Sequence, residues 1–241
     1  MSMQYRFQDI TRKLSPKQIS AELRLQKMLQ AAMSELGLTY YGQVDYTDSS
    51  ATLVRGMATH QSQKDSHYCF GTYGGYEVVF LRRQATLQAP DGSTRQQQWF
   101  IVQVDTKAGY PLPHIFFAPH GHRDVWYHAA LDLQPEMQPL SLGTYWRYPA
   151  LLNSRYTVYG SPAQQQLIEY LVRPDISMVL AQHYYPCCIE YDRNHIIISH
   201  DYAKITKESL VTMIKNAVWL ALMTDAQYQA VREAQYTSRA Q

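Results

Sequence analysis

The segment from Arg155 to Met223 constrains this chain more than any other, because helix caps, turn residues and apolar periods agree along its length. It reads as a strand, two helices, a β-hairpin and a long amphipathic helix. Ser161-Pro162-Ala163-Gln164 predicts a helix start: Ser161 caps, Gln164 completes a capping box, and Pro162 sits at the first helical position. Leu167, Ile168, Leu171 and Val172 follow at helical spacing. Pro174 ends that helix, and Asp175 is expected to cap a second one carrying Ile176, Val179 and Leu180. After Pro186 the period becomes two, with Cys187, Ile189 and Tyr191 facing one way and Cys188, Glu190 and Asp192 the other. Asp192-Arg193-Asn194 supplies a turn in which Asn194 is the residue that tolerates positive φ. The run Ile196-Ile197-Ile198 implies cover on both faces of the return strand. Thr206 caps a last helix whose Leu210, Val211, Ile214, Val218, Ala221 and Leu222 form one apolar side. At roughly 1.5–3 kcal/mol per buried aliphatic side chain, that face contributes on the order of 10 kcal/mol before entropy.

The N-terminal part uses the same grammar. Ser15-Pro16-Lys17-Gln18 is a second capping box, Ile19, Leu25, Met28, Leu29, Ala32, Met33 and Leu36 recur at mostly helical spacing, and Gly37 stops the helix. Residues 1–30 carry Arg6, Arg12, Lys13, Lys17, Arg24 and Lys27 against Asp9 and Glu22, a local charge of +4. The whole chain carries +2, so no basic field covers it and general nucleic-acid binding is excluded. The basic helix invites either an acidic partner or an anionic membrane surface, or simply packs on its own domain with a solvated face.

From Leu38 the chain is strand-rich, with candidates at Leu38–Tyr46, Ala51–Thr59, Gly75–Gln88, Trp99–Thr106, His114–Ala118 and Val125–Leu131. Pro90-Asp91-Gly92-Ser93 is a turn between the third and fourth. Successive strands with short turns predict an antiparallel meander. The expected organisation is an arm and amphipathic helix over 1–37, a β-rich lobe over 38–150 and an α+β lobe over 151–241. The fold class is therefore α+β, with a mainly antiparallel, aromatic-rich sheet.

Four histidines, His114, His120, His122 and His128, crowd one region with Asp124, a residue set suited to a transition metal such as zinc or iron. The alternative is a solvated surface loop. Gly71-Thr72-Tyr73-Gly74-Gly75 precedes a strand and lacks the Gly-Lys-Ser/Thr ending of a phosphate loop, so it reads as a turn or bulge. Cys187 and Cys188 lie near His183, His195 and His200, but a cysteine on such a strand reads as a small core residue. With no Gly-x-Ser-x-Gly elbow and no His-Glu-x-x-His, no catalytic residue is assigned. Arg82 and Arg83 read as a solvated edge or an anion contact. Twenty tyrosines and four tryptophans, several paired as in Tyr40-Tyr41, Trp126-Tyr127, Tyr145-Trp146 and Tyr184-Tyr185, suit both sheet packing and a binding surface. Three cysteines, two adjacent, give no disulfide framework and imply a reducing, cytoplasmic compartment. No apolar run is long enough to span a bilayer, and charges at Arg6, Asp9, Arg12 and Lys13 interrupt any secretory signal.

The texts FGTYGGYEVVFLRR and RYTVYG…LIEYL…CCIEYDRNHIIIS…LVTMIKNAVWLAL resemble bacterial proteins of the domain-of-unknown-function kind, the DUF3137-like group. That resemblance implies an α+β fold and a bacterial source, and supplies no substrate or catalytic residue. The expectation is a non-enzymatic binding or scaffolding module that takes a protein partner or self-associates. The alternatives are a metal-dependent enzyme using the 114–128 histidines and a peripheral membrane protein attached through residues 15–36.

Overall fold

The computed structural model describes residues 15–43, 63–88, 94–109, 111–121, 131, 134–201 and 205–239, of which 63, 85–88, 94–96 and 231–239 by backbone alone. Helix α1 (Pro16–Glu35) opens it. Its capping box forms as the sequence predicts: the Gln18 amide donates to Ser15 Oγ, and the Ser15 amide donates to the Gln18 side chain. Gly37, at φ +70°, ends it. Strands β1 (Thr39–Gly42), β2 (Gln63–Tyr73), β3 (Tyr76–Gln88) and β4 (Thr94–Asp105) then pair in sequence order. Gly74 and Gly75, at φ +59° and +81°, make the two-residue turn between Tyr73 and Tyr76, the left-handed pair that a tight hairpin requires. The glycine cluster is thus a turn, as read. Residues 51–59, 90–93 and 125–130 lie outside the described residues.

β5 (Leu112–Pro119), β6 (Gln138–Pro139), α2 (Ala150–Arg155), β7 (Tyr156–Gly160), α3 (Gln165–Leu171), α4 (Pro174–His183), β8 (Cys188–Arg193), β9 (His195–His200) and α5 (Lys207–Arg239) follow. Among the described residues the sheet has nine strands in the order β1-β2-β3-β4-β9-β8-β5-β7-β6, every neighbouring pair antiparallel. The meander therefore holds for the first four strands and then breaks, because the β8–β9 hairpin inserts between β4 and β5. Strands from both sides of residue 150 share this sheet.

One face carries the main core. Side chains of the five helices given above, among them Leu29, Leu152, Ile168, Leu180 and Ile214, meet Phe80, Phe100, Val102, Phe117, Ile189, Tyr191 and Ile198. The other face holds two smaller clusters, one around Leu81, Trp99, Ile101 and Ile197, the other around Phe116, Met137, Tyr159 and Cys188. Ile196, Ile197 and Ile198 are buried on alternate faces, and Cys187 and Cys188 separate the same way, as the period of two demands.

Helix α5 crosses β3, β4 and β9. The Thr206 hydroxyl caps it by accepting from the Ser209 amide at 3.2 Å. Asp225 fastens it to the sheet, accepting from the Tyr76 hydroxyl at 2.8 Å and the Lys107 amide at 3.0 Å. Ile214 and Val218 are buried, but Leu222 is 49% exposed, so the apolar side is narrower than its sequence suggests. Three further local readings change. Pro162–Gln164 is a 3-10 turn with no side-chain cap from Ser161. α4 begins at Pro174 after Arg173, leaving Asp175 inside its first turn. Arg193, not Asn194, takes positive φ, at +55°, because it holds the first of the two loop positions between Asp192 and His195.

Candidate binding surfaces

Strand β2 carries one residue too many. Its pairing with β3 shifts between Ser66 and Cys69, so three steps along β2 match two along β3. The extra residue is His67, at φ +56°, a conformation that a residue with a Cβ adopts at a cost of order 1–3 kcal/mol. The bulge turns Ser66 and His67 toward α1 together. His67 Nε2 donates to Glu22 Oε1 at 2.8 Å, and its Nδ1 is hydrogen-bonded to the Tyr40 hydroxyl at 2.7 Å. Arg82 closes the network, donating through both terminal nitrogens to Glu22 at 2.8 and 2.6 Å and through Nε to Ser66 Oγ at 3.1 Å. Burial pushes the Glu22 carboxyl up, but the hydrogen bonds from His67 and Arg82 and their charges outweigh it and hold the group at about 2. Burial pushes the Tyr40 hydroxyl up to about 12, so it stays protonated. Each polar group in this cluster is turned to another of its members, and the result is a footing that ties α1 to the sheet.

Arg83 leaves β3 on the opposite face and forks onto Asp65 with two bonds of 2.8 Å. Both arginines are buried in ion pairs with their own carboxylates, not on a solvated edge. Sequence reasoning missed Glu22 and Asp65 as their partners, 60 and 18 residues away.

The second surface is the loop from Ser141 to Pro149. Glu169 on α3 is fully buried, and its carboxylate accepts backbone amides of Gly143, Thr144 and Tyr145 at 3.3, 3.2 and 3.0 Å. The Gln165 amide donates to the same carboxylate at 2.9 Å and also to Ser141 O and Thr144 Oγ1. The Tyr148 hydroxyl donates to Glu169 O at 3.2 Å. Burial raises the Glu169 carboxyl, yet these donors bring it below the usual carboxylate range. Gly143, at φ +131°, lets the loop wrap the carboxylate. What the loop displays is outward: Tyr145 is 51% exposed, Trp146 39%, Arg147 is exposed, and the Arg173 guanidinium lies 5.7 Å from the centre of the Trp146 ring. The pair Tyr145-Trp146 was legible as an aromatic dipeptide. The carboxylate that organises it was not, since a glutamate in an amphipathic helix reads as a solvated residue.

The histidines fall as follows. His114, half-buried on β5, meets Glu190 Oε1 at 2.7 Å. Burial lowers this imidazole, but Glu190 outweighs it and raises the group above its usual range. His120 donates through Nδ1 to Ser154 O at 3.2 Å, and its Nε2 meets Thr157 Oγ1 at 2.9 Å. The two are six residues apart along an extended chain, about 20 Å at 3.3 Å per residue, too far to share an ion. His122, His128 and Asp124 lie outside the described residues. Among the described residues, no group of three or more metal-ligating side chains converges. Cys187 and Cys188 are buried, and burial pushes the Cys69 thiol up.

Fold and surfaces together define an α+β protein with one helix-covered sheet face, a buried polar footing beneath α1 and one outward-facing loop. No protein-family model and no curated relative matches the chain. Among solved structures it is similar to the crystal structure of the mycobacterial trehalose monomycolate transport factor A, TtfA, with a TM-score of 0.51 and 8% identity over 84% of this chain and 93% of that one. At this identity the likeness shows the fold alone. No described helix is long and apolar enough to cross a membrane.

Proposed function

We propose that this protein is a non-enzymatic binding or scaffolding module, and that the loop from Ser141 to Pro149 is its recognition element for a protein partner. One observation carries this reading: a fully buried carboxylate is used to hold a loop whose Tyr145, Trp146 and Arg147 side chains face water. Burying a charge costs several kcal/mol unless donors compensate it. Four donors do so here, and they fix backbone, not core. Tyr, Trp and Arg are the residue types that dominate binding energy at interfaces, and a loop fixed beforehand avoids the ordering cost of association. The likeness to TtfA concerns the fold, and neither the role nor the cargo in that protein's name is carried over at 8% identity.

The experiment is photo-crosslinking in the native cells, with the photoreactive residue at Tyr145 and a control at the exposed Glu77 on β3. The reading expects one dominant protein adduct at Tyr145, lost when Trp146→Ala and Arg147→Glu are combined. Adducts identical to those of the control position would contradict it.

A further inference from the structure

Helix α1 has two apolar stripes. Leu29, Ala32, Met33 and Leu36, with Leu25 and Met28 beside them, pack into the main core. At about 100° per residue, Pro16, Ile19 and Leu23 fall on roughly the opposite side. With Ser20, Arg24 and Lys27 they line a surface depression of about 340 Å³, and Leu23 is 42% exposed there. The charge of this side is one-signed. The helix contains two acidic residues: Glu22 is turned inward to Arg82 and His67, and Glu35 is taken by Lys207 at 2.7 Å. Lys17, Arg24 and Lys27 are left as the cations of the outer side, with Arg24 drawn along it by a 3.1 Å bond to Ser20. No acid occupies the first turn, where the helix dipole would favour one.

We infer that this outer stripe docks an acidic amphipathic helix of a partner protein. The inference rests on the binding-module reading but uses a different element from the loop. An apolar ridge at i, i+3 and i+7 is what a second helix reads with its own i, i+3, i+4 and i+7 anchors, and the flanking cations select Asp and Glu beside those anchors. A lipid surface fits less well. Membrane binding of a helix scales with its immersed apolar area, and the larger stripe of α1 is already spent on the core. The footing formed by Glu22, His67 and Arg82 holds the N-terminal half of α1 in place, so the ridge is presented rigidly.

The test uses the full chain and a fluorescent synthetic helix with leucines at those four anchor positions and glutamates elsewhere, beside a counterpart with lysines for the glutamates. The acidic peptide is expected to bind and the basic one not to. Arg24→Glu with Lys27→Glu, and separately Leu23→Asp, should each weaken binding about tenfold, while Trp146→Ala leaves it unchanged. All these residues are exposed, and circular dichroism checks that each variant folds. Equal binding of both peptides, indifference to the Arg24 and Lys27 changes, or no binding would overturn the inference. So would stronger attachment to phosphatidylglycerol vesicles than to the peptide, or self-association that Leu23→Asp abolishes. Loss of peptide binding on Trp146→Ala would place the contact on the loop and overturn the helix assignment while sparing the loop.

Discussion

Arg82 and Arg83 are neighbours that leave one strand on opposite faces, each to a carboxylate placed there by another element. The alternation was legible in the sequence, because adjacent strand residues must diverge. The partners were not, because Glu22 arrives through the packing of α1 and Asp65 through the register of β2, neither of which a local pattern encodes. The Glu22 footing has a pH signature. Its folded carboxyl is held at about 2 against an ordinary 4.5, so the stability it contributes is fully present above pH 4.5 and is lost as the pH falls toward 2. Its carboxylate is 38% exposed, so solvent screening limits the contribution to about 1–2 kcal/mol. Unfolding free energies from urea titrations between pH 7 and pH 2 are expected to fall by that amount more in the native protein than in Glu22→Gln, with the difference confined to the acid window. Parallel curves would show that the network contributes nothing through this charge.

At the scale of elements, those signalled by side-chain chemistry at fixed offsets were readable, and those set by tertiary geometry were not. The Ser15 and Thr206 caps form as their spacing demands. The similar signature at Ser161 does not, because Pro162–Gln164 tightens into a 3-10 turn and the backbone, not the Ser161 side chain, makes the bond there. β2 was missed altogether: Lys64, Asp65, Ser66 and His67 look like a loop, and the bulge breaks the alternation that would have revealed a strand. Helix α5 gives the sharpest contrast. Ile214 is buried without exposure while Leu222, eight residues on, is half exposed. Ile214→Ala should therefore cost about 2–5 kcal/mol through the cavity it leaves, and Leu222→Ala less than about 0.5 kcal/mol. Equilibrium denaturation of the two variants checks both, and equal costs would mean that α5 is seated differently.

For the whole molecule, the class α+β and the clamping of a long final helix over a buried hairpin could be reached from residues alone. The strand order could not, since nothing local says that β8 and β9 enter between β4 and β5. The loop from Ser141 to Pro149 was legible only as an aromatic pair, and its organising carboxylate comes from a helix 24 to 26 residues further on. Held by that carboxylate, the loop belongs to the rigid body of the protein and is not a mobile surface segment. Amide hydrogen exchange at Gly143, Thr144 and Tyr145 tests this most directly. In the native protein these amides should open only with the global unfolding of the chain, and Glu169→Gln should speed their exchange about a hundredfold, the equivalent of roughly 2–3 kcal/mol. Free exchange in the native protein, or rates untouched by the substitution, would contradict the account.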